Sequence, residues 1–160
     1  MSQTETSMKE LLNQLQNSLE CRFELDYLSE KNKNPFEWKA LIEGLQGSIY
    51  EGGYYMVKID FSSSYPSSRP ALCFLNKIFH PHVSESNLQA CICPTSNNII
   101  SVLETVENMF MDYKMDVSHS YSNKAHELLA NNKEDEFIAT AKQYVREYAK
   151  LEDLDKFYDL

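Results

Sequence analysis

From Phe36 to Leu75 the chain runs in short apolar segments whose connections are too brief to hold a helix. That constrains the topology more than any other feature, because strands joined without crossover helices must pair antiparallel. Phe36 to Glu43 carries the strand-type residues Phe36, Trp38, Leu41 and Ile42. Tyr54 to Phe61 places Tyr55, Val57, Ile59 and Phe61 on one face, and Ala71 to Leu75 is a shorter run. Phe23, Leu25 and Tyr27 alternate ahead of them as a first strand. Lys31 to Pro35 reads as a turn, and Gly44 to Gly53 as a glycine-punctuated connection. Four strands in a meander are expected.

Helical spacing flanks this block. Met8, Leu11, Leu12, Leu15 and Leu19 predict an amphipathic helix over about residues 5–19, with Ser7 and Glu10 as a capping box. Ile99, Val102, Leu103, Val106 and Phe110 predict a second helix. Residues 123–130 and 134–150 predict two more, separated from the second by an irregular stretch, 113–122. The acidic end, LEDLDKFYDL, is expected to extend the last helix or fray. The fold class is therefore α+β: an N-terminal helix, a four-stranded antiparallel meander, then C-terminal helices packed on one face and at one end of the sheet. One domain is expected over 1–160, with a core of about 5–150 and an acidic end, 151–160.

Composition narrows the function classes. With 42% hydrophobic residues, a packed globule is expected. A formal charge of −9 opposes nucleic-acid binding, because the phosphate backbone would be repelled. No apolar run is long enough to span a membrane, and the first residues do not read as a secretion signal. The four cysteines, Cys21, Cys73, Cys91 and Cys93, are therefore read as reduced thiols in a cytoplasmic and/or nuclear protein.

Residues 78–98 form a long aperiodic stretch rich in His, Ser, Asn and Cys, and such loops in compact domains are usually functional. A cysteine presented from a loop invites comparison with a nucleophile. The pairs His80/His82 and Cys91/Cys93 also supply four ligands compatible with tetrahedral zinc, although the spacing within each pair is not that of a Cys-x-x-Cys knuckle.

Over roughly residues 5–150 the chain resembles the ubiquitin-conjugating enzyme family. The resemblance is carried by Phe36-Glu37-Trp38, Gly44, Tyr50-Glu51-Gly52-Gly53, Phe61, Tyr65-Pro66, Pro70 and Ile78-Phe79-His80-Pro81, followed soon by a cysteine. It implies a thioester carrier: an activating enzyme passes a ubiquitin-like C-terminus to the cysteine, and a substrate lysine then accepts it. ATP is consumed by the activating enzyme, so the carrier needs no cofactor. Implied partners are ubiquitin or a ubiquitin-like modifier, the activating enzyme, and a ligase or a partner conjugating-enzyme variant, with no nucleic acid and no membrane. The modifier itself is left open.

The resemblance also assigns residues. Cys91, eleven residues after His80, fits the family spacing with a smaller insertion than Cys93, which is thirteen after; Cys91 is the nucleophile on this reading and Cys93 the alternative. His80 matches the motif histidine, with a role in holding the loop and a second reading in acid–base chemistry. His82 stands where the family has Asn, whose amide orders the loop and is proposed to stabilise the oxyanion; an imidazole can also donate a hydrogen bond. Ser120 aligns with the position that helps deprotonate the incoming lysine, with Asp116 the alternative. The loop after Cys93 is short, which the resemblance links to altered ligase contacts. His82 and this loop also leave open a rival reading, an inactive conjugating-enzyme-like variant that acts as a binding scaffold.

Overall fold

A computed structural model describes residues 3–114, 121 and 123–160, with the backbone alone at residue 3. The order is α1 (Gln3–Gln16), β1 (Glu24–Tyr27), β2 (Glu37–Glu43), β3 (Tyr54–Asp60), β4 (Ala71–Phe74), α2 (Ile99–Met111), α3 (Lys124–Ala130), α4 (Glu134–Tyr148) and a 3-10 helix (Leu151–Phe157). The strands form one sheet in the order β1-β2-β3-β4, every neighbour antiparallel. This is the meander that the short connections require.

Register follows the alternation of side chains. Trp38 pairs with Ile59 and Ala40 with Val57, so the residues facing the helices meet across strands. Trp38, Ala40, Tyr55, Val57 and Ile59 are completely buried. From the other side α2 presents Ile99, Val102, Leu103, Val106 and Phe110 at helical spacing, and all are buried. Phe110 is the hinge of this contact, with its ring 5.4 Å from Tyr55 and 5.5 Å from Tyr50. Asn98 starts α2 by accepting a hydrogen bond from the Ile100 N–H through its side chain.

The connection between β2 and β3 depends on a close approach. A Cβ at Gly44 would lie 2.0 Å from the Tyr50 carbonyl oxygen, so no other residue fits without moving the backbone. That approach lets the Gly44 N–H donate to Gly53 and seats Tyr50 in the core.

Three expectations are corrected. Helix α1 ends at Gln16, and Leu19 is fully exposed rather than part of the apolar stripe; Met8 and Leu12 carry the buried face. The helix begins at Gln3, so Ser7 lies inside its first two turns and the Ser7–Glu10 pair is not its cap. The acidic end neither extends α4 nor frays. It turns into the 3-10 helix and packs on β3.

That packing has a local cause. The face of β2 and β3 turned away from the core is mostly charged, but it carries the apolar pair Leu41 and Met56 beside Lys39, and covering that pair removes apolar surface from water. Leu154 and Met56 are both buried, yet lie outside the main core cluster. Lys39 is buried with them. Its ammonium donates to the Phe157 carbonyl at 2.8 Å and lies 5.0 Å from the Tyr158 ring centre, which satisfies a charge that burial would otherwise penalise. Among the described residues no helix is long and apolar enough to cross a membrane.

Candidate functional site

The stretch after β4 is organised around a turn at His80–Val83. The Val83 N–H donates to the His80 carbonyl at 3.1 Å, which closes the turn with Pro81 at its second position, where a fixed φ favours it. Tyr50 supports its approach: the buried phenol donates to the Phe79 carbonyl at 2.6 Å.

His80 is braced through both ring nitrogens. Nδ1 accepts the His82 N–H at 3.0 Å, so it carries no proton. Nε2 therefore carries the proton and donates to the Met109 carbonyl near the end of α2, at 2.7 Å. Burial holds the ring neutral, with its pKa lowered to about 3; the Met109 bond opposes that shift and the neighbouring His82 adds to it. A neutral ring with both nitrogens engaged inside the protein ties the turn to α2.

His82 is 6% exposed, with its ring centre 5.4 Å from that of His80. Its carbonyl accepts the Cys91 N–H at 2.8 Å. The chain reaches that bond by reversing at Leu88, whose φ of 58° lies in the left-handed region that a bulky side chain seldom adopts. The reversal is held at both ends, by the Leu88 N–H donating to Ser84 and the Phe74 N–H donating to the Leu88 carbonyl. From there Gln89 pairs with Cys73 of β4, and Ala90 pairs with Val83. The apolar flank of Cys91 thus lies against the sheet edge, with the Ala90 N–H donating to Leu72 at 2.9 Å.

Cys91 opens into a cleft of about 300 Å³, lined by Arg69, Pro70, Ala71, Leu72, Gln89, Ala90, Ile92 and Tyr121 besides itself. Cys91 is half-buried and Cys93 exposed. Arg69 is the one charged residue of that lining, and its guanidinium donates to the Ile92 carbonyl at 2.9 Å. Tyr121 closes another wall: its N–H donates to the Pro81 carbonyl at 2.9 Å. Burial raises the pKa of its phenol, with Cys91 and Cys73 adding to the shift, so it stays neutral. Cys73 is less suited to nucleophilic chemistry, because burial pushes its thiol up and Asp60 adds to that.

Ser120 and Asp116, the two positions assigned to the incoming lysine, lie outside the described residues. Tyr121, their neighbour in sequence, had no signal of its own, since one Tyr in a loop shows no periodicity. Nor did Asn123, whose side chain reaches the turn from the start of α3. The zinc arrangement loses its first ligand, because both nitrogens of His80 are engaged. Among the described residues no group of three or more His, Cys, Asp or Glu is placed to hold a metal ion.

Comparison with known proteins agrees with this architecture. The ubiquitin-conjugating enzyme family model matches residues 6–145. The chain is 31% identical over 121 residues to ubiquitin conjugating enzyme E2 B of Dictyostelium discoideum, covering 71% of this chain and 78% of that one. It is 28% identical over 117 residues to ubiquitin-conjugating enzyme E2 6 of Arabidopsis thaliana, covering 69% of this chain and 63% of that one. A solved structure, the E2 domain of a Toxoplasma gondii ubiquitin conjugating enzyme, superposes with a TM-score of 0.74 at 22% identity, covering 91% of this chain and 99% of that one. At that identity the superposition establishes the fold. The chain belongs to the ubiquitin-conjugating enzyme family, whose members are transferases that work with ubiquitin-like modifiers, activating enzymes and ligases.

Proposed function

We propose that this chain is a single-domain thioester carrier with Cys91 as its nucleophile. The Cys91 thiolate attacks the thioester carbonyl that joins a ubiquitin-like C-terminus to an activating enzyme's cysteine. The old C–S bond breaks, and the activating enzyme's thiolate leaves. A substrate lysine amine then attacks the new thioester, Cys91 leaves as thiolate, and the amine's proton passes to a base or to water. The observation that carries this reading is the placement of Cys91: half-exposed in a cleft, with its backbone bonded to the His80–Val83 turn.

Roles divide by reach. Cys91 is the reacting atom's residue. His80 positions the turn, since its ring has no free nitrogen to offer a substrate. His82 borders the reacting centre and supplies the carbonyl that fixes the Cys91 backbone. Ser120 is proposed to orient the incoming amine. The implied partners are a ubiquitin-like modifier, its activating enzyme and a ligase or partner variant, in the cytoplasm or nucleus.

The test is a charging assay with ATP, a panel of ubiquitin-like modifiers and their activating enzymes, run on reducing and non-reducing gels. A reductant-sensitive adduct that Cys91→Ala abolishes and Cys93→Ala retains supports the reading and names the modifier. Folded protein that forms no adduct with any pair overturns it and favours the binding scaffold.

A further inference from the structure

We infer that Asn123 is a positioning residue for the thioester site, which it reaches through the His80–Val83 turn; this rests on the carrier reading above. Asn123 precedes α3, and its side-chain oxygen accepts the His126 N–H at 2.9 Å, an ordinary helix cap. The other end of the same amide faces the turn. Its Nδ2 donates to the Val83 carbonyl at 2.8 Å and to the His80 carbonyl at 3.2 Å. One planar group therefore holds a helix start and both ends of the turn.

What that amide holds is the support of Cys91. In a buried turn each carbonyl needs a partner, and all four are accounted for. His80 accepts from Val83 and Asn123, Pro81 from Tyr121, His82 from Cys91, and Val83 from Asn123. Asn123 is the single side chain among these donors. Two of the four carbonyls face Asn123, one faces Tyr121 two residues before it, and the fourth carries the Cys91 N–H. Displacing Asn123 moves the turn, and the turn carries both the backbone of Cys91 and the Tyr121 wall of its cleft.

A cap and a clamp make different demands, and substitution separates them. Asp caps a helix as well as Asn does but cannot donate to a carbonyl. Asn123→Asp therefore keeps α3 and sets a carboxylate against two carbonyl oxygens. Single-turnover discharge of the preformed thioester to free lysine is expected to fall about 10- to 100-fold, since small displacements of a reacting group cost that much. The apparent KM for lysine should stay near that of the unchanged protein; the thermal midpoint falls, because two buried carbonyls lose their donor, and discharge is read well below it, where the fold is intact. Asn123→Ala, which removes both functions, lowers discharge and the midpoint together.

A second readout needs no modifier. Iodoacetamide alkylation, resolved by mass spectrometry at each cysteine, is expected to change at Cys91 by about threefold or more in Asn123→Asp, because local environment sets thiol reactivity, and to stay constant at Cys73. Discharge and Cys91 alkylation both equal to the unchanged protein would overturn the inference and leave Asn123 a plain cap. A discharge loss that merely tracks the unfolded fraction would overturn it too. Failure of the unchanged protein to charge overturns the carrier reading instead, and the alkylation result still decides whether Asn123 positions Cys91.

Discussion

The backbone N–H of Cys91 donates to the carbonyl of His82 at 2.8 Å, a main-chain link that does not depend on either side chain. Substitution at either position leaves that bond in place and changes only the chemistry around it.

This separates the two cysteines. Cys91→Ser keeps the backbone bond and replaces thiol by hydroxyl, so charging should convert from a reductant-sensitive thioester to a reductant-resistant oxyester or cease. Cys93→Ser, at an exposed position, should leave the thioester intact. Mass spectrometry of the adduct checks both, and a thioester surviving in Cys91→Ser would move the nucleophile to Cys93.

His80 should make the fold sensitive to acid. Its folded pKa is lowered to about 3, by burial first, while an unfolded histidine titrates near 6.5. The unfolded state therefore binds the proton first. The contribution of neutral His80 is complete above about pH 6.5 and is lost as pH falls from there toward 3, at a slope of up to about 1.4 kcal/mol per pH unit. Urea unfolding at pH 7, 6, 5 and 4 should show the loss, and His80→Gln should flatten it while lowering stability at pH 7. Parallel pH profiles for the two proteins would contradict a buried neutral ring.

The phenol of Tyr50 should matter through one bond. It is completely buried and donates to Phe79, the residue before the turn. Tyr50→Phe keeps the ring contacts with His80 and Phe110 but leaves the carbonyl without that donor, at a cost of about 1–3 kcal/mol. A denaturant midpoint unchanged from the parent would show that another group satisfies Phe79.

Most of the architecture was legible because it rests on local patterns. Alternation at Tyr55, Val57, Ile59 and Phe61 and helical spacing at Val102, Leu103 and Val106 each report a buried face directly. Short links between strands fixed the pairing. The site was legible only as a motif with a cysteine soon after. What holds it was hidden: His80 bonds a backbone carbonyl of Met109, which any residue there would supply, and Asn123 reads in sequence as nothing more than a helix start. The C-terminal segment was misread for a related reason. LEDLDKFYDL has no strong apolar face of its own, and its docking depends on Lys39, which bonds Phe157 across 118 residues of sequence.

That docking makes the last prediction. Leu154 is 1% exposed, lies outside the main core and is the buried residue of a segment that packs on β3, so its side chain is what the segment contributes to apolar burial. Truncating it removes that burial and loosens the segment that supplies the Phe157 carbonyl and Tyr158 ring to Lys39. Tyr158 is tied down in turn by its bond to Glu24 of β1, at 2.9 Å. Leu154→Ala should cost about 2–3 kcal/mol, the lower part of the range for buried leucines because the residue lies outside the main core. Lys39→Met should cost less, since an apolar group of similar length refills the space and no buried charge is left behind. The two substitutions act on the docking of one segment, so their combined effect should fall short of the sum. Urea unfolding of both single variants and the double variant measures this. Strict additivity, or a negligible effect of Leu154→Ala, would mean that the segment does not hold the sheet face in solution.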